Sequence, residues 1–314
     1  MTRVADALNA ALGALLADDP ALYLLGEDIT DPYGGAFKVT RGLSTRFPDR
    51  VLGTPISEAA IVGVANGLAL AGDKAIVEIM FADFALLAFD QIVNVAAKST
   101  AMFGRPVPMP LIVRCPTGGN RGYGPTHSQS PQKHFLGVPG LDVNELSPFH
   151  EPLPLLRSIL ATGRPAILFE DKVLYSRSMG LPALFTFDQD RDVVLIDGVP
   201  PDDYLIVAPG GLAHRALDAM QTLLMRHELG GALHVPTRLY PWDPEPVRRH
   251  PARRILVVED GPPGASWATE VAYQLRDCGR PVRTLHAADT VVPTAAHLER
   301  SVLVQSSTIV GALT

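Results

Sequence analysis

Short apolar runs alternate with longer stretches of helical periodicity along most of this chain. Val4-Ala5-Asp6-Ala7-Leu8-Asn9-Ala10-Ala11-Leu12 predicts an amphipathic helix. Ala21–Leu25 reads as a strand ending at Gly26-Glu27-Asp28, Ala59–Ala71 as a helix, and Ala75–Met80 as the next strand. Ala85–Thr100 predicts a single helix with Leu86, Phe89, Ile92, Val93 and Ala96 as its apolar positions. A strand over Leu111–Cys115 runs into the Gly-rich loop Thr117–Gly124, and a helix over Leu153–Thr162 precedes a strand over Ala166–Glu170. This is the pattern of a layered α/β sheet. Periodicity fails between about Ser176 and Arg191, around Gly180-Leu181-Pro182. A second α/β unit then begins with a strand at Tyr204–Ala208, the turn Pro209-Gly210-Gly211 and a helix over Leu212–His227. Strands at Leu233–Val235, Ile255–Val258 and Val282–Leu285 follow, with a helix over Ala268–Cys278 stopped by Gly279. Two α/β domains are expected: residues 1–178 and 193–314, joined by a linker at 179–192.

Length and composition agree with that division. A chain of 314 residues with 47% apolar and 19% charged residues has enough material for two large cores. A net charge of −6 disfavours nucleic acid or an anionic membrane as the main partner. The basic group Arg248, Arg249, Arg253 and Arg254 reads as solvated surface. The two cysteines, Cys115 and Cys278, form no CxxC pair and read as ordinary thiols of a cytoplasmic protein. The N-terminus lacks the basic-then-apolar order of a signal peptide, and runs such as Ala59–Ala71 are too short to predict a membrane span. No GxGxxG follows a strand and no GxxxxGK[ST] occurs, so the glycines do not indicate a dinucleotide or P-loop site. Pro209-Gly210-Gly211 reads as a tight turn, with an anion-binding nest as the other reading.

The most informative segment is Thr54-Pro55-Ile56-Ser57-Glu58. It places one carboxylate at the mouth of a helix that, from Ala59 to Gly72, holds no charge and a single amide, Asn66. Glu58 reads either as an acidic first-turn residue behind a Ser57 cap or as a catalytic carboxylate shared with a bound heterocycle. Phe84 reads as core packing at a strand end or as a flat surface for a ring. His127 reads as a loop histidine bonded to backbone or as a proton-transfer group. The His127–His134 spacing does not suit a helical metal pair.

Tyr33-Gly34-Gly35-Ala36-Phe37-Lys38-Val39-Thr40-Arg41-Gly42-Leu43 lies upstream of Glu58. Val77-Glu78-Ile79-Met80-Phe81-Ala82-Asp83-Phe84, Phe89-Asp90-Gln91-Ile92-Val93-Asn94 and His127-Ser128-Gln129-Ser130 lie downstream. In this order and spacing the segments resemble the beta subunit of thiamine-diphosphate-dependent 2-oxo-acid dehydrogenases of the pyruvate and branched-chain type. The match is close from about Tyr23 to Arg177 and weaker beyond. The resemblance implies an N-terminal transketolase-like pyrimidine-binding domain and a C-terminal transketolase-type domain. It implies that Glu58 exchanges a proton with the aminopyrimidine of thiamine diphosphate, that Phe84 and Ile56 contact the cofactor, and that His127 serves the steps after decarboxylation, including acylation of a lipoyl group. His214 also falls in the family pattern, as a structural or subunit-interface residue.

In this superfamily a Gly-Asp-Gly sequence, followed by an Asn, holds the magnesium that binds the cofactor's diphosphate. This chain has no Gly-Asp-Gly. The resemblance therefore implies a half-site without metal ligands of its own, completed by an alpha subunit in an α2β2 heterotetramer. It implies decarboxylation of a 2-oxo acid and transfer of the acyl group to a lipoyl domain. The alternatives are transfer of a two-carbon ketol unit from a ketose phosphate to a lipoyl or acyl carrier protein, and a non-catalytic scaffold. The chain departs from the family at Ser147-Pro148-Phe149-His150-Glu151-Pro152-Leu153-Pro154, where a Pro-x-Asp-Ala-Lys-Gly-like run is usual. It also departs at Tyr123-Gly124-Pro125-Thr126 and at Gly261-Pro262-Pro263-Gly264-Ala265-Ser266-Trp267. These departures spare Glu58, Phe84 and His127 and bear on donor, acceptor and any monovalent-cation site.

Overall fold

A computed structural model describes residues 2–178, 185–190, 193–198 and 202–314. The strands in the first half are β1 (Leu22–Glu27), β2 (Val51–Thr54), β3 (Lys74–Glu78), β4 (Leu111–Thr117), β5 (Asp142–Leu146) and β6 (Ala166–Asp171). The second half supplies β7 (Thr186–Asp190), β8 (Val193–Asp197), β9 (Tyr204–Val207), β10 (Gly231–Pro236), β11 (Arg238–Tyr240), β12 (Ile255–Glu259) and β13 (Val282–His286). They form a seven-stranded sheet in the order β11-β5-β6-β4-β3-β1-β2 and a six-stranded sheet in the order β13-β12-β9-β10-β8-β7. The first six strands run parallel, and β11 adds antiparallel to the edge strand β5. The second sheet is parallel from β13 to β10 and antiparallel at β8 and β7.

The two expected α/β layers are both present, and three details differ from the periodicity reading. β7 lies within the expected linker and pairs with β8, so part of that connection belongs to the second sheet. Residues 179–184, 191 and 192 of that linker lie outside the described residues. β11 carries a C-terminal segment onto the first sheet. One apolar core accordingly runs without a break from Val113 and Phe169 through Leu239 and Trp267 to Leu205 and Val257.

The expected helix over Ala85–Thr100 is replaced by a 3₁₀ turn at Ala82–Ala88, a π segment at Gln91–Ala96 and an α-helix at Ala97–Met102. The buried residues of the 3₁₀ turn, Ala82, Ala85 and Ala88, recur every third position, the repeat that stacks on one face of a 3₁₀ helix. The π segment begins where Asn66 Nδ2 donates to the Gln91 carbonyl at 3.0 Å, engaging an acceptor of the helical ladder.

Candidate active site

In a parallel sheet the carboxyl ends of the strands open onto a common edge, where side chains from successive loops can converge. Here Glu27 closes β1, Thr54 closes β2 and Glu58 opens the helix that follows. Phe81 to Phe84 follow β3, the loop to His127 follows β4, and Lys172 follows β6. In the strand order β4-β3-β1-β2, the Phe84 and Glu58 segments are two strand positions apart, roughly 10 Å at sheet spacing.

Glu58 is 7% exposed, although Pro55, Ile56, Ser57, Ala59 and Ala60 around it are all exposed. Ser57 occupies the N-cap but makes no side-chain capping bond, so the simple capping reading of this segment fails. Ile56 is 81% exposed, an apolar side chain left open on the rim. Glu27, unnoticed in the sequence, is also buried and its Oε1 has no hydrogen-bond partner. Burial first, and then the charges of Glu58 and Asp28, push the Glu27 carboxyl above its ordinary value. Thr54 Oγ1 is buried without a partner as well. Buried polar atoms normally have partners, so two orphans beside a buried carboxylate suit the rim of a polar-ligand site.

On the β3–β4 side, Phe81 and Phe84 meet edge to face at 6.1 Å. The His127 ring stands edge-on to both, at 4.6 Å from Phe81 and 5.1 Å from Phe84. Thr126 Oγ1 lies 2.8 Å from His127 Nδ1, so Nε2 is the nitrogen available to a reactant. The fold therefore brings Phe84 and His127 into ring contact, with Glu58 on the far side of the same edge.

Asp83 and Lys172 complete this wall. Asp83 Oδ1 accepts the Gln129 amide at 3.4 Å, whereas its buried Oδ2 has no partner. Burial raises the Asp83 carboxyl, and the Lys172 charge opposes the rise. Lys172 is fully buried with no hydrogen-bond partner on Nζ, which lies 5.5 Å from the Phe81 ring centroid. Burial pushes its ammonium down to about 8. Asp83 has one sequence signal, a charge between the aromatic residues Phe81 and Phe84, and Lys172 has none.

A Cβ on Gly34 would meet Arg41 backbone, and one on Gly35 would meet Glu78 Oε1 at 2.6 Å; both have positive φ. Pro209-Gly210-Gly211 packs Gly210 against the Glu145 carboxylate and Gly211 against that of Asp171. These two buried carboxyl groups fill the ground an anion would need, so the nest reading is overturned. His214 lies 5.6 Å from the Phe149 ring, and burial pushes it down to about 4. Both cysteines are free. Among the described residues no group of three or more His, Cys, Asp or Glu is arranged to hold a metal, and no helix is long and apolar enough to cross a membrane.

The transketolase pyrimidine-binding domain family matches residues 1–177, and the transketolase C-terminal domain family matches residues 194–309. The chain is 31% identical to the mitochondrial pyruvate dehydrogenase E1 component subunit beta-1 of Arabidopsis thaliana, over 98% of this chain and 87% of that one. It is 35% identical to the pyruvate dehydrogenase E1 component subunit beta of Leifsonia xyli, over 85% and 79%. It is 34% identical to the acetoin:2,6-dichlorophenolindophenol oxidoreductase subunit beta of Cupriavidus necator, over 86% and 82%. A split-gene transketolase solved as an inactive beta4 tetramer superposes with a TM-score of 0.76 at 19% identity, over 98% of this chain and 95% of that one, a likeness of fold. The chain thus belongs to the transketolase-like family of beta subunits of thiamine-diphosphate-dependent 2-oxo-acid dehydrogenases.

Proposed function

We propose that this chain is the catalytic beta half of an enzyme that decarboxylates a 2-oxo acid and hands the acyl group to a lipoyl domain. The observation that carries the reading is Glu58, a buried carboxylate at the mouth of an apolar helix with unpartnered polar atoms of Glu27 and Thr54 on the same rim. Those residues suit the aminopyrimidine of thiamine diphosphate, with Glu58 holding the shared proton and Phe84 and Ile56 as apolar walls. Bound there, the cofactor would supply the carbon nucleophile and electron sink that decarboxylation of a 2-oxo acid requires. His127 presents Nε2 to the acyl group and its acceptor, where a proton must move as the group is transferred.

The diphosphate and magnesium fall to an alpha subunit, because no Gly-Asp-Gly occurs in this chain. Apolar exposure at Ile56 on the rim, at Leu87 after β3, and at Val64 and Leu70 along the helix that Glu58 opens agrees with a partner surface. The test is turnover by the co-purified alpha–beta pair with a panel of 2-oxo acids and ketose phosphates. Cofactor-dependent release of carbon dioxide from a 2-oxo acid is expected. Turnover of ketose phosphates alone would favour ketol transfer, and no turnover by the intact pair would favour a scaffold.

A further inference from the structure

The Gly-rich loop that carries His127 is held from both halves of the chain. Its neck closes where the Gly118 amide and Thr117 Oγ1 donate to the Gln129 carbonyl, at 3.1 and 3.3 Å. On one side, Arg121 Nη2 donates to the Lys172 carbonyl at 3.0 Å. On the other, the Gly122 amide donates to Glu299 Oε2 at 3.0 Å, across 177 positions of sequence. Glu299 lies in the helix Ala296–Val302, is 2% exposed, and has no partner for Oε1. The glycines record how closely the C-terminal segment approaches. A Cβ on Gly119 would meet Leu303 Cδ1 at 2.5 Å and Glu299 Oε1 at 3.0 Å, and one on Gly124 would meet Thr294 Oγ1 at 2.5 Å. Gly122 and Gly124 both have positive φ, so they supply backbone shape as well as room.

A buried carboxylate with a single backbone donor is an expensive way to fill space. Its charge gives a directional, charge-assisted hold on one amide, five residues before His127. We propose that Glu299 is a positioning residue for the acyl-transfer step: it fixes the 117–129 loop, and with it the His127 imidazole, from the C-terminal domain. This rests on the reading of His127 given above. It makes the C-terminal domain part of the site's geometry although Glu299 touches no reactant.

The test uses the full chain with its alpha partner, as wild type, Glu299→Ala and Glu299→Gln. Hydrogen exchange of peptides spanning 118–127 reads the loop without relying on turnover. Glu299→Ala should speed exchange roughly tenfold or more, while Glu299→Gln, which keeps an acceptor oxygen, should stay within about threefold of wild type. In parallel, acyl transfer to a lipoyl domain is compared with 2-oxo-acid oxidation by an artificial dye. Transfer relative to dye reduction should fall about tenfold in Glu299→Ala and recover in Glu299→Gln. Unchanged loop exchange in Glu299→Ala would overturn the hold itself. Faster exchange with an unchanged transfer-to-dye ratio would overturn its role in positioning His127. A wild-type pair inactive on every 2-oxo acid would instead overturn the functional reading, leaving exchange to decide the Glu299 contact.

Discussion

Glu58 combines burial with a position where every sequence neighbour from Pro55 to Ala60 is exposed. A surface first-turn acid would tolerate an amide; a group that exchanges a proton would not. Glu58→Gln should therefore leave assembly intact, as judged by size in solution, and lower turnover by on the order of a hundredfold or more. Near-normal turnover would remove Glu58 from the chemistry. His127 calls for a different comparison, because its ring packs against Phe81 and Phe84 on the opposite side of the crevice. His127→Ala should retain substantial dye-coupled decarboxylation while transfer to a lipoyl domain falls much further. Equal loss in both assays would place His127 in substrate binding or early steps. Glu58, Phe84 and His127 could be singled out from local sequence and motif order. Glu27 and Lys172 could not, and Asp83 offered only its place between two aromatic residues, because the significance of all three lies in missing partners, which only the packed structure exposes.

At the scale of elements, β3, β4 and β6 are tied together by a buried ion cluster beneath the site. Arg114 donates to Glu78 at 3.0 Å and to both Glu170 oxygens at 2.7 and 2.8 Å, and Tyr175 donates to Glu170 at 2.6 Å. Removing the cation would strand two buried carboxylates, so Arg114→Met should cost about 3–5 kcal/mol in urea unfolding. A loss below about 1 kcal/mol would show the cluster to be dispensable. The pattern of hydrophobic positions located most strands and helices because each buries a periodic face. It missed β5, Asp142-Val143-Asn144-Glu145-Leu146, whose polar positions look solvent-facing. All five are buried, because β11 covers the edge and Gly210 packs on Glu145. It also read one helix where Asn66 and the three-residue alanine repeat produce π and 3₁₀ geometry. The burial of β5 and the π segment come from contacts made by segments distant in sequence, as does the hold of Glu299 on the His127 loop.

Across the whole molecule, buried ionisable groups set a narrow pH range of greatest stability. Burial pushes His150 and His214 down to about 4 and His234 to about 3, so the fold keeps all three neutral. Their contribution is complete above the unfolded value near 6.5 and is lost as pH falls toward 4. Glu145 has the opposite sense: burial first, then Asp171, pushes it up to about 8. Its contribution is complete below about 4.5 and is lost as pH rises toward 8. Thermal stability of the assembled protein should therefore peak near pH 6.5, and Glu145→Gln should flatten the alkaline side. A midpoint still rising from pH 6.5 to 8 would contradict this balance. The same molecule presents Glu58, Phe84 and His127 on one edge without a Gly-Asp-Gly to hold a metal-bound diphosphate, so it should be half of a cofactor site. Calorimetric titration of thiamine diphosphate with magnesium into the purified chain, and then into its complex with the alpha partner, tests this most directly. Tight binding is expected for the complex and not for the chain alone; tight binding by the chain alone would contradict the shared site.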